Sequence, residues 1–230
     1  MDGWIAQDDM SAARVFSQAL DAPFVCLVAD GMGGHPAGDV ASRLAAECLA
    51  KMLCEVPEEQ IGATLRQVNT QFYAVMQRFP HCAGMGTVVA GLVVRPQGVT
   101  VFNVGDSRAY RLADGRLEQI SVDDSAEAEW EAGAFMPRSG MVTQSIGGGW
   151  EFMDIEPHLH VEPCRPGSLY LLCSDGLYDA LAPEEIVALI GPDLAASANA
   201  LFEAAMAAPA RDNVSFALVR IAIAKREAAP

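Results

Sequence analysis

Apolar runs in this chain reach only about eight to ten residues before a Gly, Pro or charge interrupts them, too few to cross a bilayer as a helix. What such lengths allow is strands. Phe24 to Ala29, Thr87 to Val94, Val99 to Val104, Arg108 to Leu112, Leu169 to Cys173 and Val214 to Ile223 are rich in Val, Ile, Leu and Phe, and turn chemistry separates them. Arg95-Pro96-Gln97-Gly98 can close a hairpin, and Ala113-Asp114-Gly115-Arg116 carries the Asp-Gly signal of a tight turn. The middle of the chain therefore reads as an antiparallel meander.

Ala37 to Glu55 and Glu58 to Phe79 instead carry apolar residues at helical spacing, as in Ile61, Leu65, Val68, Phe72 and Val75, with Pro57 between the two helices. Pro183 to Ile190 and Leu194 to Ala207 repeat that pattern. Strands in runs with helices in pairs point to an α+β fold with helices packed outside the sheet faces. At 230 residues with no linker-like stretch, a single domain over 1–230 is expected. The segment at about 121–149 is acidic and then Gly-rich, and reads as a mobile flap over that domain.

A formal charge of −15 disfavours nucleic acid and anionic membranes as partners and favours cations and basic proteins. The six cysteines form no CxxC pair and lie mostly in apolar surroundings, which suits reduced, structural thiols. Met1 to Met10 contain Asp2, Asp8 and Asp9 and no basic residue, unlike a secretory signal. A cytoplasmic protein is expected.

Chemistry enters where strands end. Val28-Ala29-Asp30-Gly31-Met32-Gly33-Gly34-His35 delivers an aspartate from an apolar strand into a Gly-rich turn, and Leu171-Leu172-Cys173-Ser174-Asp175-Gly176 does the same again. Asp212 stands immediately before the last strand. Hard divalent cations such as Mg²⁺ and Mn²⁺ take carboxylate, carbonyl and water oxygens, so strand-end carboxylates that converge would suit them.

Together with Gly84-Met85-Gly86-Thr87, Val104-Gly105-Asp106-Ser107-Arg108-Ala109-Tyr110 and Asp212-Asn213-Val214-Ser215, these segments resemble, in order and separation, the PPM family of type 2C metal-dependent serine/threonine protein phosphatases. The Asp-Gly-Met-Gly-Gly-His wording resembles the bacterial members. The resemblance implies a four-layer αββα sandwich, two antiparallel sheets flanked by helix pairs. It also implies a binuclear Mg²⁺ or Mn²⁺ site in which Asp30 bridges two ions, Gly31 binds one through its carbonyl, and Asp175 and Asp212 ligate the second. Asn213 would support the ligand loop. The segment around Asp106 would be mainly architectural, close beneath the site, and for Asp106 and Arg108 a structural ion pair is favoured with direct catalysis as the alternative.

Family members also begin with a strand carrying a phosphate-contacting Arg and a further metal-binding aspartate. Asp2-Gly3-Trp4-Ile5-Ala6 resembles the end of that segment, which favours Asp2 as the ligand, with Asp8 or Asp9 as alternatives; the preceding strand and arginine have no counterpart here. Ile120-Ser121-Val122-Asp123-Asp124-Ser125 resembles the stretch where bacterial members hold a weak third ion, which places Asp123 there and Asp124 where the family has His. A surface acidic cluster is the alternative for both.

The implied activity is hydrolysis of phosphomonoesters on phosphoproteins by metal-activated water, without a covalent intermediate. His35 would serve the metal loop as a helix-start residue or assist the leaving group. The implied partners are a phosphorylated substrate and the kinase it opposes, with the chain a monomer. The alternative is a catalytically impaired phosphoprotein-binding module of the same fold. Other phosphate chemistries lack their residues: His81-Cys82 is followed by Val88 where a cysteine phosphatase needs Arg, and the Gly33 to Gly38 run meets Asp39 where a nucleotide loop needs Lys. The pair His158-x-His160 lacks the partners of a zinc site.

Overall fold

The computed structural model describes residues 13–32, 37–125, 141–208 and 212–222. Its strands and helices follow one another as β1 (Phe24–Gly31), α1 (Gly38–Glu55), α2 (Ile61–Arg78), β2 (Gly86–Arg95), β3 (Gly98–Val104), β4 (Arg108–Ala113), β5 (Arg116–Gln119), β6 (Ile146–Gly147), β7 (His158–Glu162), β8 (Leu169–Cys173), α3 (Asp175–Tyr178), α4 (Pro183–Leu189), α5 (Leu194–Ala207) and β9 (Phe216–Arg220). One antiparallel sheet runs β1-β2-β3-β7, with the short β6 beside the start of β2; the other runs β5-β4-β8-β9.

Alternation along the strands decides the layering, because successive side chains leave a strand on opposite faces. From β1, Val25, Leu27 and Ala29 join a core with α1 and α2, built on Leu49, Leu53, Leu65 and Phe72. Cys26 and Val28 point the other way, into a core shared with Tyr170 and Leu172 of β8. From β8, Leu171 and Cys173 turn outward onto Ile186 of α4 and Leu201 of α5. Three cores thus separate four layers: helices, sheet, sheet, helices. Leu169–Cys173 is buried throughout because both its faces are covered.

The expected meander divides between the sheets. The β2–β3 and β4–β5 hairpins close at the predicted two-residue turns, with Arg95 opposite Gly98 and Ala113 opposite Arg116. The chain, however, leaves the first sheet at Val104 and enters the second at Arg108. Burial forces this, since both sheets need an inner face to form the middle core. At the end of the flap region, Ile146 is fully buried and pairs with Thr87, so this part is core rather than cover. Residues 126–140 of the expected flap lie outside the described residues.

Strand β7 is not among the strands expected from the apolar runs. Its outward residues, Leu159 and Val161, are exposed, whereas Glu162 is buried. Glu162 accepts hydrogen bonds from Arg111 of β4 and the hydroxyl of Tyr170 of β8, a polar tie between the sheets. That reverses the usual apolar-in pattern.

Leu172 has no exposed surface in the middle core. Leu172→Ala should therefore lower unfolding free energy by about 2–5 kcal/mol, through lost burial plus the cavity left behind. Urea denaturation measures this; a loss below about 1 kcal/mol would mean the two sheets do not pack on this residue.

Candidate active site

Strand β1 ends on Asp30 and Gly31 opposite Val88 and Thr87 of β2. The Thr87 hydroxyl donates to the Asp30 carbonyl at 2.6 Å, which fixes that peptide. A methyl group on Gly31 would lie 2.1 Å from the Gly38 carbonyl oxygen, so only glycine lets α1 begin this close to the strand end.

The second sheet supplies a matching terminus. The Ser174 N–H donates to the Ser215 carbonyl at 2.9 Å, and the Ser215 N–H donates to the Ser174 hydroxyl at 3.1 Å. A methyl group on Gly176 would lie 2.2 Å from the Asn213 carbonyl oxygen. Asp175 and the Asp212-Asn213 segment are thereby pressed together, with Asp212 also accepting from the Asn213 N–H at 2.8 Å.

Four carboxylates gather where these ends meet. Burial, then the charges of Asp175, Asp212 and Asp106, push the Asp30 pKa up to about 7. Burial and the charge of Asp175 push Asp106 up to about 6. Asp175 is raised by burial and by Asp212. Asp30 and Asp175 come within hydrogen-bonding reach of each other, where a bond requires a proton on one of the two acids. Asp175 Oδ1 is buried with no N–H or hydroxyl donor among the described residues.

Such a cluster suits a cation, and its donors are all oxygens, the set hard divalent ions take. Among the described residues, no three His, Cys, Asp or Glu side chains already stand around a single point.

Of the expected site residues, Asp30, Gly31, Asp175 and Asp212 are brought to one place. Asp2, its alternatives Asp8 and Asp9, and His35 lie outside the described residues. Asp123 is held by protein donors: Arg108 Nε at 2.8 Å and Nη2 at 2.6 Å on Oδ2, and Gln119 Nε2 at 2.7 Å on Oδ1.

The expected Asp106–Arg108 ion pair is replaced by Arg108–Asp123. The backbone bends between Gly105 and Ser107 before β4 begins, so Asp106 falls in with the carboxylates while Arg108 turns to Asp123. The Arg108 guanidinium also lies 3.7 Å over the Tyr178 ring, whose hydroxyl donates to the Asp106 carbonyl at 3.1 Å. Asp106 is thus the cluster member that sequence reasoning undervalued; its Gly-Asp-Ser-Arg segment was the available signal.

Asp124 is equally committed, accepting from the Gly105 N–H at 2.8 Å and lying 2.8 Å from His158 Nε2. The alternative of a solvated surface cluster at Asp123 and Asp124 therefore fails, because all four of their carboxylate oxygens have partners.

A family model described as protein phosphatase 2C matches residues 2–219. The chain is 34% identical over 201 residues to the serine/threonine protein phosphatase PstP of Mycobacterium tuberculosis, covering 82% of this chain but only 38% of that protein's length. It is 30% identical over 235 residues to the serine/threonine phosphatase stp of Listeria monocytogenes, covering 94% of this chain and 92% of that protein. It is also similar to the crystal structure of the catalytic domain of PstP in complex with two manganese ions, with a TM-score of 0.73, 31% identity, and coverage of 93% of this chain and 96% of that one.

Electrostatics of the cluster give a signed expectation for the metal-free protein. An acid whose folded pKa is raised holds its proton more tightly folded than unfolded. Its stabilising contribution is therefore present at low pH and lost as pH rises from the ordinary aspartate value towards the folded one. For Asp30 that window runs from about 4 to about 7. In chelator, the thermal midpoint of wild type should fall more steeply across this window than that of Asp30→Asn, which has no charge to bury. Parallel melting profiles would show that Asp30 does not ionise against its neighbours.

Proposed function

The chain belongs to the protein phosphatase 2C family, and from that premise we propose that it is a Mg²⁺- or Mn²⁺-dependent protein serine/threonine phosphatase hydrolysing phosphomonoesters on phosphoproteins. One observation carries the reading: Asp30, Asp106, Asp175 and Asp212 crowd together at the ends of two sheets, with an Asp175 oxygen left without a donor. Asp30, the Gly31 carbonyl, Asp175 and Asp212 would hold two ions, with Asp2, or else Asp8 or Asp9, completing the set. For Asp123 to take a third, weaker ion, the ion would have to compete with Arg108.

When bound, such ions lower the pKa of water and neutralise charge on the phosphate under attack. The chain's own contribution is to fix the carboxylates before any ligand arrives, through Thr87, Ser174 and Ser215. Burial pushes the Cys26 and Cys173 thiols up to about 12, which leaves these two protonated and poor nucleophiles. The expected reaction is a single in-line displacement by water.

The finer reading makes the chain a monomeric, single-domain signalling enzyme of the cytoplasm, with a flap at about 121–149, acting against a kinase on the same phosphoproteins. All six cysteines are free, which suits a reducing compartment. Among the described residues no helix is long and apolar enough to cross a membrane.

Hydrolysis of p-nitrophenyl phosphate should require Mn²⁺ or Mg²⁺, stop in excess chelator, and exceed hydrolysis of the corresponding phosphodiester. Asp175→Asn keeps the shape of the side chain and removes the charge. It should remain folded by circular dichroism yet lose roughly a hundredfold or more in single-turnover rate, with weaker metal binding by titration. A folded Asp175→Asn protein that turns over at the wild-type rate would sink the binuclear reading.

A further inference from the structure

The loop from β6 to β7 is tightly fixed, yet it presents apolar side chains to solvent. Trp150 is 83% exposed, Phe152 55% and Met153 57%. Gln144 and Glu156 clamp its ends: the Gln144 side-chain amide donates to the Glu156 carbonyl at 3.1 Å, and the Glu156 N–H donates back to the Gln144 side chain at 2.9 Å. Helix α2 pins its middle. Asn69 receives the Gly147 N–H at 2.9 Å and donates to the Met153 carbonyl at 2.8 Å, and Arg66 Nε donates to the Ile155 carbonyl at 3.1 Å. The Phe152 ring packs edge-on at 5.0 Å from the buried Tyr73. Fixed loops with clustered exposed apolar groups mark contact surfaces, since exposure of this kind has no benefit to the isolated chain.

Sheet register locates the surface. Thr87 of β2 pairs with Gly31 of β1 on one side and with Ile146 of β6 on the other. The loop therefore leaves the sheet at the same end as Asp30. A methyl group on Gly148 would lie 2.5 Å from Met32 Cε, two residues beyond Asp30. The loop that carries Trp150 thus starts beside the end of β1 that carries Asp30. The surrounding charge is acidic, from Glu151, Asp154 and Glu156 within a chain of net charge −15. Arg66 borders a cleft at the far end of this loop, lined also by Asp124, Asp154, Glu156 and His158.

We propose that Trp150, Phe152 and Met153 form a docking shelf for the substrate segment, selecting phosphoproteins with an aromatic or large aliphatic side chain near the phosphoresidue in a basic context. This rests on the phosphatase reading above, and it names the substrate class of the same site. Continuity with the carboxylate cluster and the acidic surroundings favour a substrate peptide over a second copy of the chain, whose matching loop would carry like charge. An anionic lipid surface is disfavoured for the same reason.

The test uses two basic phosphothreonine peptides that differ only in a Phe or an Ala flanking the phosphoresidue, with p-nitrophenyl phosphate alongside and Mn²⁺ present. The ratio of kcat/KM for the Phe peptide over the Ala peptide should be about ten for wild type, the effect of one well-packed aromatic anchor. It should fall towards one in Trp150→Ser/Met153→Ser. Met206→Ser, an exposed apolar change on α5, should keep the wild-type ratio. A wild-type ratio near one with p-nitrophenyl phosphate cleaved overturns the shelf and leaves the phosphatase reading intact, whereas no cleavage of any ester overturns both. A variant that keeps the discrimination overturns the shelf too. So does a wild-type dimer in sedimentation that Trp150→Ser/Met153→Ser converts to monomer, because the shelf would then serve self-association.

Discussion

Repulsion among half-buried carboxylates is the constraint around which this protein is arranged. Asp30, Asp106 and Asp175 each have a raised pKa, burial being the leading cause and neighbouring aspartates the next. Left free, such groups would move apart or take up water. They stay together because each is attached to backbone that has little freedom to yield. Thr87 holds the Asp30 peptide, the reciprocal Ser174–Ser215 bonds hold the strand that delivers Asp175, and Tyr178 holds the Asp106 carbonyl. The fold therefore keeps negative charge concentrated where a cation would relieve it.

The sandwich makes that concentration possible. Its middle core, with Val28 from one sheet and Tyr170 and Leu172 from the other, locks the sheets face to face. The Glu162 tie to Arg111 and Tyr170 adds a polar link between the same two layers. Strand ends from different sheets then meet at one edge of the layers, and the cluster inherits its geometry from packing that lies well below it.

A second set of interactions secures the neighbourhood of the cluster without joining it. Ser121 accepts from the Ala109 N–H, Asn103 exchanges two hydrogen bonds with Val122, and Asp123 and Asp124 take Arg108 and Gly105. The segment 121–124 after β5 is thereby clamped to the corner that carries Asp106. Helix α2 likewise fixes the Trp150 loop through Asn69 and Arg66, and His158 and Thr143 tie the two segments together at Asp124.

By itself the sequence determined the features that are local in origin. Helical spacing in Ile61, Leu65, Val68 and Phe72, the two-residue turns at Pro96-Gln97 and Asp114-Gly115, and apolar strands ending on Asp30 and Asp175 are set by neighbours a few residues away. The α+β class and the candidate carboxylates Asp30, Asp175 and Asp212 were legible for that reason. Tertiary structure decided what depends on partners distant in the chain. The meander was split because two inner faces must cover one core. Arg108 was assigned to Asp123 rather than Asp106 because the bend at Gly105 separates near neighbours in sequence. Pairing with β3 made His158–Glu162 a strand, Glu162 tied it to Arg111 and Tyr170 of the other sheet, and Asp106 entered the cluster through its proximity to Asp175. Periodicity records which face of an element is apolar, but not which other face it meets; only the packed chain fixes that, because burial and charge energies depend on distances through space.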